Sequence, residues 1–578
     1  MKVSDYIAKF IAKHSSHIFV GQGGNIIHLL DSCSKLKKIT VIPSQNEQAA
    51  AIAADAYSRF NNKIGFTAVT SGPGMINLMQ GIACSYFDSI PTFHFSGAVV
   101  TSQIRENKKI RQVGFQEMEV VDLVKPITKY AVLLKNKNMV RYELEKLLYM
   151  AKNGRPGPVL MDLPDDIQRE FIDPKKLKKF KIPKIKKKKN FFESKFFNLL
   201  SKSKRPIVIY GNGIKVSNTE KEIKDFIKLS KLPFLPTWAC LDIVPGKSEY
   251  CAGSFGVAAT RFGNFAVQNA DLLIVLGSRL PTQVTGSNLK TFAPKAKKII
   301  VDIDSAELNR TKGLKYDLKI NLDLKIFFQR INNKIKPNQD YIFWAKNFKK
   351  WKDKYPVCQK IYFKEKKFVN PYVFIKKLSN LTGKNDILIP DASANLIWAM
   401  QAFEFNGQKI FTSLNHSPMG YSMPATVGAF YANKNKRITC IIGDCSMQMN
   451  IQELATISHF KIPAKIIVIN NSGMSLIKQT QETWLKSFYV GVDNKSGLAM
   501  PNLLNIAKAY EIEICTIKNN NEIEKKIKYL LSRKKPIYCE VLVSDKQRVV
   551  PKLESGRAIH DLSPLLSRKE MNLNMIND

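Results

Sequence analysis

The absences in this sequence narrow it before any motif does. No stretch approaches the roughly 20 consecutive apolar residues that a membrane-spanning helix needs. The opening MKVSDYIAKFIAKHSSHIFVG interrupts each apolar run with a charged or polar residue and carries no signal-peptide core. A cytoplasmic protein without a membrane partner is expected. The nine cysteines include no CxxC pair, which removes the zinc-ribbon and disulfide-framework readings and leaves most of them as small buried apolar residues. There is no short-period repeat. Acidic residues are scarce, 48 against 90 lysines and arginines, for a net charge of +42. That excess is mostly lysine spread along the chain, whereas readers of bases and phosphates gather arginine and aromatics on one element. No nucleic-acid partner is expected, although the charge gives a general attraction for anionic substrates. The densest run, Lys175–Lys189 (KKLKKFKIPKIKKKK), reads as a solvated linker.

What is present is the composition of a globular chain, 44% hydrophobic and 10% aromatic over 578 residues, too long for one core and suited to about three or four units. HIFVG, KITVIPS, GFTAVTSGPG and GRPGPVLMDLP read as strands alternating with the helical patterns EQAAAIAADAYSRF and MINLMQGIACSYFD. The same rhythm resumes at RPIVIYGNGI, ADLLIVLGSRL and KKIIVDIDSAEL, and again at NDILIPDASAN, RITCIIGDCSMQMN, AKIIVINNSG and PIYCEVLVS. The expected fold is α/β, three doubly wound parallel-sheet domains. The boundaries are a first domain over 1–172, the lysine-rich linker 173–195, a middle domain 196–335, a linker helix 336–365, a third domain 366–545 and a polar tail 546–578.

One segment carries chemistry on its face. Gly443-Asp444-Cys445-Ser446 ends a strand, MQMNIQELATISHF reads as the helix that follows, and the next strand ends at Asn470-Asn471. Both polar groups then emerge at one edge of a parallel sheet, where open α/β sheets bind ligands. A carboxylate and an amide carbonyl are hard oxygen donors suited to Mg²⁺, which takes its other oxygens from phosphates. The amides at the start of the helix face the same anion.

Over most of its length the chain resembles the acetolactate synthase family of thiamine-diphosphate enzymes. FVGQGGN, with Gly23 and Gly24, is similar to the family's opening strand and Gly-Gly loop, and Pro43-Ser44-Gln45-Asn46-Glu47-Gln48 to the neighbourhood of its activating glutamate, with one extra residue. TSGPGMINLMQGIACSYFDSIP (70–91), GFQEMEVVD (114–122), GRPGPVLMDLP, SPMGYSMPATVGA (417–429) and the diphosphate motif follow in the family order. The resemblance implies a first domain that binds the cofactor pyrimidine and a third that binds its diphosphate. Glu47 would stabilise the imino tautomer of the aminopyrimidine, with Gly24 and Gln116 also at the reaction centre. Met419 would wedge between the cofactor rings and the Ser417 carbonyl would receive the amino group. Pro73, Asn77, Gly443, Cys445, Ser446 and Leu476 would line the cofactor. The metal would be Mg²⁺, held by Asp444, the Asn471 side chain and the Gly473 carbonyl. Because the cofactor would lie between the first domain of one subunit and the third of another, a homodimer or homotetramer is implied.

Departures from the family pattern concern the second substrate. Phe115 matches a residue lining the reaction centre, but Gln283 stands where the family has an arginine that pairs with the acceptor carboxylate, and Thr480 where it has an acceptor-selecting tryptophan. A neutral amide cannot give the bidentate grip of a guanidinium. The inference is a carboligase or decarboxylase that takes an acyl group from a 2-keto acid such as pyruvate and passes it to a non-standard acceptor. A keto-sugar nucleotide held by Gln283, Gln479, Thr480 and Gln481 is one such acceptor. The alternatives are an ordinary acetolactate synthase catalytic subunit of branched-chain amino acid biosynthesis, with a nearby lysine replacing the arginine, and a non-catalytic binding protein of this fold. FAD in the middle domain stays open, on a partial match at Gly211, Gly213, Gly253, Arg279 and Asp302. Cys445 replaces the third residue of the family's Gly-Asp-Gly, which is tolerable if its backbone φ stays negative.

Overall fold

The computed structural model describes residues 1–61, 63–184 and 191–576; positions 185–190 of the lysine run lie outside the described residues. Three wholly parallel sheets follow one another along the chain. The first has six strands: β1 (His17–Val20), β2 (Thr40–Pro43), β3 (Gly65–Val69), β4 (Thr92–Ala98), β5 (Tyr130–Leu133) and β6 (Val159–Pro164), in the order β2-β1-β3-β4-β6-β5. The middle sheet has five: β7 (Pro206–Tyr210), β8 (Phe234–Pro236), β9 (Leu272–Leu276), β10 (Lys297–Asp302) and β11 (Leu318–Asn321), in the order β11-β10-β9-β7-β8. The last has six: β12 (Asp386–Pro390), β13 (Lys409–Ile410), β14 (Arg437–Gly443), β15 (Lys465–Asn470), β16 (Glu513–Ile517) and β17 (Ile537–Leu542), in the order β13-β12-β14-β15-β17-β16. Renumbered from its own first strand, the last sheet repeats the first strand for strand. Inner strands such as β3, β4 and β9 are buried along their whole length, as expected where helices cover both faces and the run need not alternate.

The first and third domains meet through two equivalent helices. Glu47–Asn61 follows β2, Ser422–Ala432 follows the matching β13, and the two pack together more extensively than any other pair of elements. Their backbones come close enough that a Cβ on Gly428 would lie 2.0 Å from the Ala53 carbonyl oxygen. At the far end of this helix pair lies a buried polar network. Arg59 pairs with Asp55 at 2.6 Å and Asp88 at 2.8 Å, Tyr421 donates its hydroxyl to Asp55, and Asp88 accepts the amides of Leu414 and Asn415. Removing one member would strand a buried charge, at about 3–5 kcal/mol.

Two segments differ in role from the sequence reading. The helix expected between the middle and third domains runs over Gln339–Lys354, and its Trp344, Phe348 and Trp351 are buried in the second core of the middle domain, with Trp351 5.8 Å from the Phe265 ring. It belongs to that domain's packing. The tail likewise folds back: Leu553 donates its amide to Val257, Asn269 bonds Asn574 and Ile576, and Ile559 and Met571 are buried in the same core. Among the described residues no helix is long and apolar enough to cross a membrane.

Candidate functional site

Parallel strands deliver their loops to one edge, so the chemistry is sought at the C-terminal ends of the two six-stranded sheets. In the first domain β2 ends at Pro43 and the chain turns into the helix that Glu47 opens. The Glu47 carboxylate accepts from the Asn77 side chain at 2.9 Å. Pro73 starts the helix carrying Asn77, at the position where a missing N–H does no harm. Glycines clear the space around this carboxylate. A Cβ on Gly21 would sit 2.4 Å from Glu47 Cγ, one on Gly74 3.3 Å from Oε1, and one on Gly23 2.4 Å from Thr70 Cβ. Thr70 Oγ1 is buried and, among the described residues, has no hydrogen-bond partner. Gly24, named from the sequence, opens a short 3₁₀ turn and a Cβ there would touch nothing; Gly21, not named, is the glycine that Glu47 requires. Gln116 sits at φ 64°, and its carbonyl lies against Gly72, which places Phe115, 81% exposed, beside the start of the Pro73 helix.

In the third domain β14 and β15 pair with Gly443 opposite Ile469, so Asp444 and Asn471 emerge side by side. Asp444 is buried, and its two oxygens accept the amides of Cys445 at 2.8 Å and Gly473 at 3.1 Å. Burial pushes its pKa up to about 6 against the pull of those amides. The asparagine pair divides its work: Asn470 donates to Glu540 and accepts from the Ser472 amide, while Asn471 is the buried neighbour of Asp444. Gly473 holds φ 141°, and a Cβ there would lie 2.2 Å from the Val492 carbonyl oxygen. Asp444, Asn471 and Gly473 are thus neighbours, joined through main-chain amides that the Asp444 carboxylate accepts. Among the described residues no group of three or more His, Cys, Asp or Glu is placed to hold a metal ion. Asp444 also fits a divalent cation physically, because this buried carboxylate is met by the amides of Cys445, Gly473 and Asn471 and, among the described residues, by no cationic side chain.

The helix expected over 447–460 is instead three pieces: a turn over Asp444–Met447, a 3₁₀ turn over Gln448–Asn450 and a helix over Glu453–His459. The break lets Asn450 donate to the Gly420 carbonyl. Cys445 keeps a negative φ in the first turn, and its buried thiol is pushed up in pKa, 3.7 Å from Met500 Sδ, unsuited to redox exchange. Ser446 is buried beside it, and Leu476 is the second residue of the Ser475–Trp484 helix.

The loop carrying Met419 has a holder the sequence reading missed. Asp391, at the end of β12, accepts the amides of Gly420 at 3.0 Å and Ser422 at 2.8 Å. Ser417 at φ 51° and Gly420 at φ 85° shape the same loop, and His416 stacks on Phe87. An aspartate just past an apolar strand, followed by Ala-Ser-Ala-Asn, was the available signal.

The expected acceptor pocket does not form as drawn. Gln479 exchanges two hydrogen bonds with Val549, Gln481 two with Val490, and Thr480 donates back to the Leu476 carbonyl. These side chains hold the fold. Gln283 lies elsewhere, exposed in a cleft of about 380 Å³ between the first and middle domains with Arg155 and Arg279. The residues matched to FAD divide, three in that cleft and two outside its lining. Gly213, Arg279 and Asp302 line that cleft, Gly211 is a glycine because Gly277 and Ser278 pack against it, and Gly253 meets the Phe262 ring. Protein packing accounts for Gly211, Gly213 and Gly253, and they lend FAD no support.

Three models of one family match the chain: thiamine pyrophosphate enzyme, N-terminal TPP binding domain, over 1–123; the central domain over 194–331; and the C-terminal TPP binding domain over 391–541. The acetolactate synthase large subunit of Porphyra purpurea is 30% identical over 556 residues, 94% of this chain and 92% of its own length. That of Lactococcus lactis subsp. lactis is 31% identical over 548 residues, 93% and 92%. Acetolactate synthase 2, chloroplastic, of Nicotiana tabacum is 28% identical over 577 residues, 97% and 85%.

Proposed function

The chain belongs to the thiamine pyrophosphate enzyme family, and from that premise we propose that it is an acetolactate-synthase-type carboligase that joins pyruvate to a second 2-keto acid. It is a thiamine-diphosphate-dependent enzyme acting on 2-keto acids, related along nearly its whole length to acetolactate synthase large subunits. What carries the carboligase reading is the pairing of two like sheets with unlike loops: an accessible carboxylate at Glu47 in the first, and a buried oxygen-donor set at Asp444, Asn471 and Gly473 in the third.

Thiamine diphosphate, when bound, supplies a ring carbon acidic enough to become a nucleophile toward keto-acid carbonyls. The chain's own residues do the rest. Asp444, Asn471 and the Gly473 carbonyl would hold Mg²⁺ against the diphosphate. Glu47 would hydrogen-bond the pyrimidine, its carboxylate oriented by the Asn77 side-chain amide. Met419 shapes the cofactor cavity on the loop fixed by Asp391. Glu47 and Asp444 of one chain serve different sites in a homodimer, the assembly we favour.

A second reading, a different acceptor, is favoured by one observation: Gln283 presents a neutral amide to the cleft, with Arg155 already paired to Asp304 and Glu307 and Arg279 to Asn415. Incubation with pyruvate plus 2-ketobutyrate separates the two. Formation of 2-acetolactate and 2-aceto-2-hydroxybutyrate is expected; donor decarboxylation without either product would favour another acceptor. A colourless purified protein is also expected, and a flavin absorption band would reopen the FAD reading.

A further inference from the structure

The Glu47 loop is gripped by a residue from the other end of the chain. Glu453, at the head of the Glu453–His459 helix, is 1% exposed. Its Oε1 accepts the Gln45 amide at 3.0 Å, its carboxylate also receives the Asn46 amide, and Thr456 Oγ1 donates to Oε2 at 2.7 Å. Gln45 and Asn46 are the two residues before Glu47. Asn46 also caps the helix that Glu47 opens: its carbonyl accepts the amides of Ala49 and Ala50, and its side chain accepts the Gln48 amide at 2.8 Å. The Glu453 carboxylate thus fixes the main chain at the point where the helix bearing Glu47 begins. The room that Gly21 and Gly74 leave around Glu47 makes this necessary, since among the described residues Asn77 is the one hydrogen-bond partner that orients its side chain.

We propose that Glu453 is a positioning residue for Glu47, holding the start of its helix so that the carboxyl meets the cofactor pyrimidine in one orientation. The proposal rests on the reading of Glu47 as the group that handles the pyrimidine proton. A neighbouring negative charge suits both the free amides at a helix start and the partial positive charge there. Hydrogen bonds to a charged acceptor are worth enough that losing them would misplace a reacting group by a catalytically visible amount.

The test uses the full-length protein with Glu453→Ala, Glu453→Gln and, as control, Glu47→Gln. Hydrogen–deuterium exchange without cofactor, read on the peptide spanning 43–49, is expected to speed up on the order of tenfold in Glu453→Ala and less in Glu453→Gln. With thiamine diphosphate and Mg²⁺ bound, deuterium exchange at the cofactor's reactive carbon and kcat on pyruvate should both fall by about 10- to 100-fold in Glu453→Ala, and about threefold to tenfold in Glu453→Gln. KM and cofactor affinity should stay within about threefold of the unsubstituted protein. Unchanged kcat in a folded Glu453→Ala protein overturns the proposal, and so does a loss of cofactor affinity that accounts for the whole fall. If Glu453→Ala does not fold, the Gln variant decides alone, and wild-type kcat there overturns it. Unchanged turnover in Glu47→Gln would instead bring down the reading of Glu47, which keeps the two failures distinct.

Discussion

The first and third domains are one topology put to two uses. Their strand orders are the same, and the helix after the second strand of each packs on its counterpart. Even the sixth strands correspond: Asp162 on β6 accepts from Ser96 on β4, and Glu540 on β17 accepts from Asn470 on β15. The loops at the sheet edge are where the two diverge. After the second strand the first domain places a carboxylate with space around it, and the third places Met419 on a loop clamped by Asp391. After the third strand the first domain has Thr70–Pro73, and the third has the buried Asp444. Topology therefore decides where a ligand can approach, and the few residues beyond each strand decide its chemistry.

The sharpest way to break this comparison is to exchange the roles of the two carboxylates. Glu47→Gln should cut turnover on the order of a thousandfold while thiamine diphosphate still binds, checked by steady-state kinetics and titration of the cofactor. Asp444→Ala should do the reverse in kind, weakening Mg²⁺-dependent cofactor binding on the order of a hundredfold, read by calorimetry. If both variants lose affinity and neither loses intrinsic rate, the division of labour between the domains is wrong. A smaller effect tests their contact. Gly428→Ala, which drives a methyl into the Ala53 carbonyl, should lower stability by about 3 kcal/mol in thermal or urea unfolding.

The smallest expected effect concerns the matched sixth strands. Full burial pushes Asp162 up to about 7, with the Ser96 hydroxyl pulling the other way. A carboxyl whose folded pKa is raised takes up its proton in the native state first. Its contribution is present below the ordinary carboxylate value and is lost as pH rises toward 7. Asp162→Asn should therefore be more stable than the unsubstituted protein at pH 8 by about 2 kcal/mol, with the advantage shrinking toward pH 5. A pH-independent difference in urea midpoints would contradict this.

Much of the layout of the candidate site was legible in the residues. Asp444 and Asn471 could be placed at one sheet edge because apolar β-branched runs lead into both and parallel strands share a direction. Glu47, Pro73 and Asn77 came from the ordered resemblance, and the structure groups them. Asp391, Gly21 and Glu453 were missed for a common reason. Each meets a segment distant in sequence, the Gly420 amide for Asp391, the Gln45 amide for Glu453 and the Glu47 side chain for Gly21, and no local pattern records such a partner. The supposed acceptor cluster failed for the converse reason. Gln479, Thr480 and Gln481 look available in sequence, yet each has spent its polar atoms on its own helix or an adjoining loop.

By itself, then, the sequence determined three parallel α/β units, the strand-end position of Asp444 and Asn471 and the family to which the chain belongs. These depend on hydrophobic periodicity and on short contiguous motifs. The tertiary structure alone decided that the outer domains repeat one strand order, that the tail and the Gln339–Lys354 helix are packed on the middle domain, and that a carboxylate from the third domain holds the loop before Glu47. Those facts rest on contacts between residues from tens to hundreds of positions apart, whose partners are chosen by burial and hydrogen-bond satisfaction once the chain has folded.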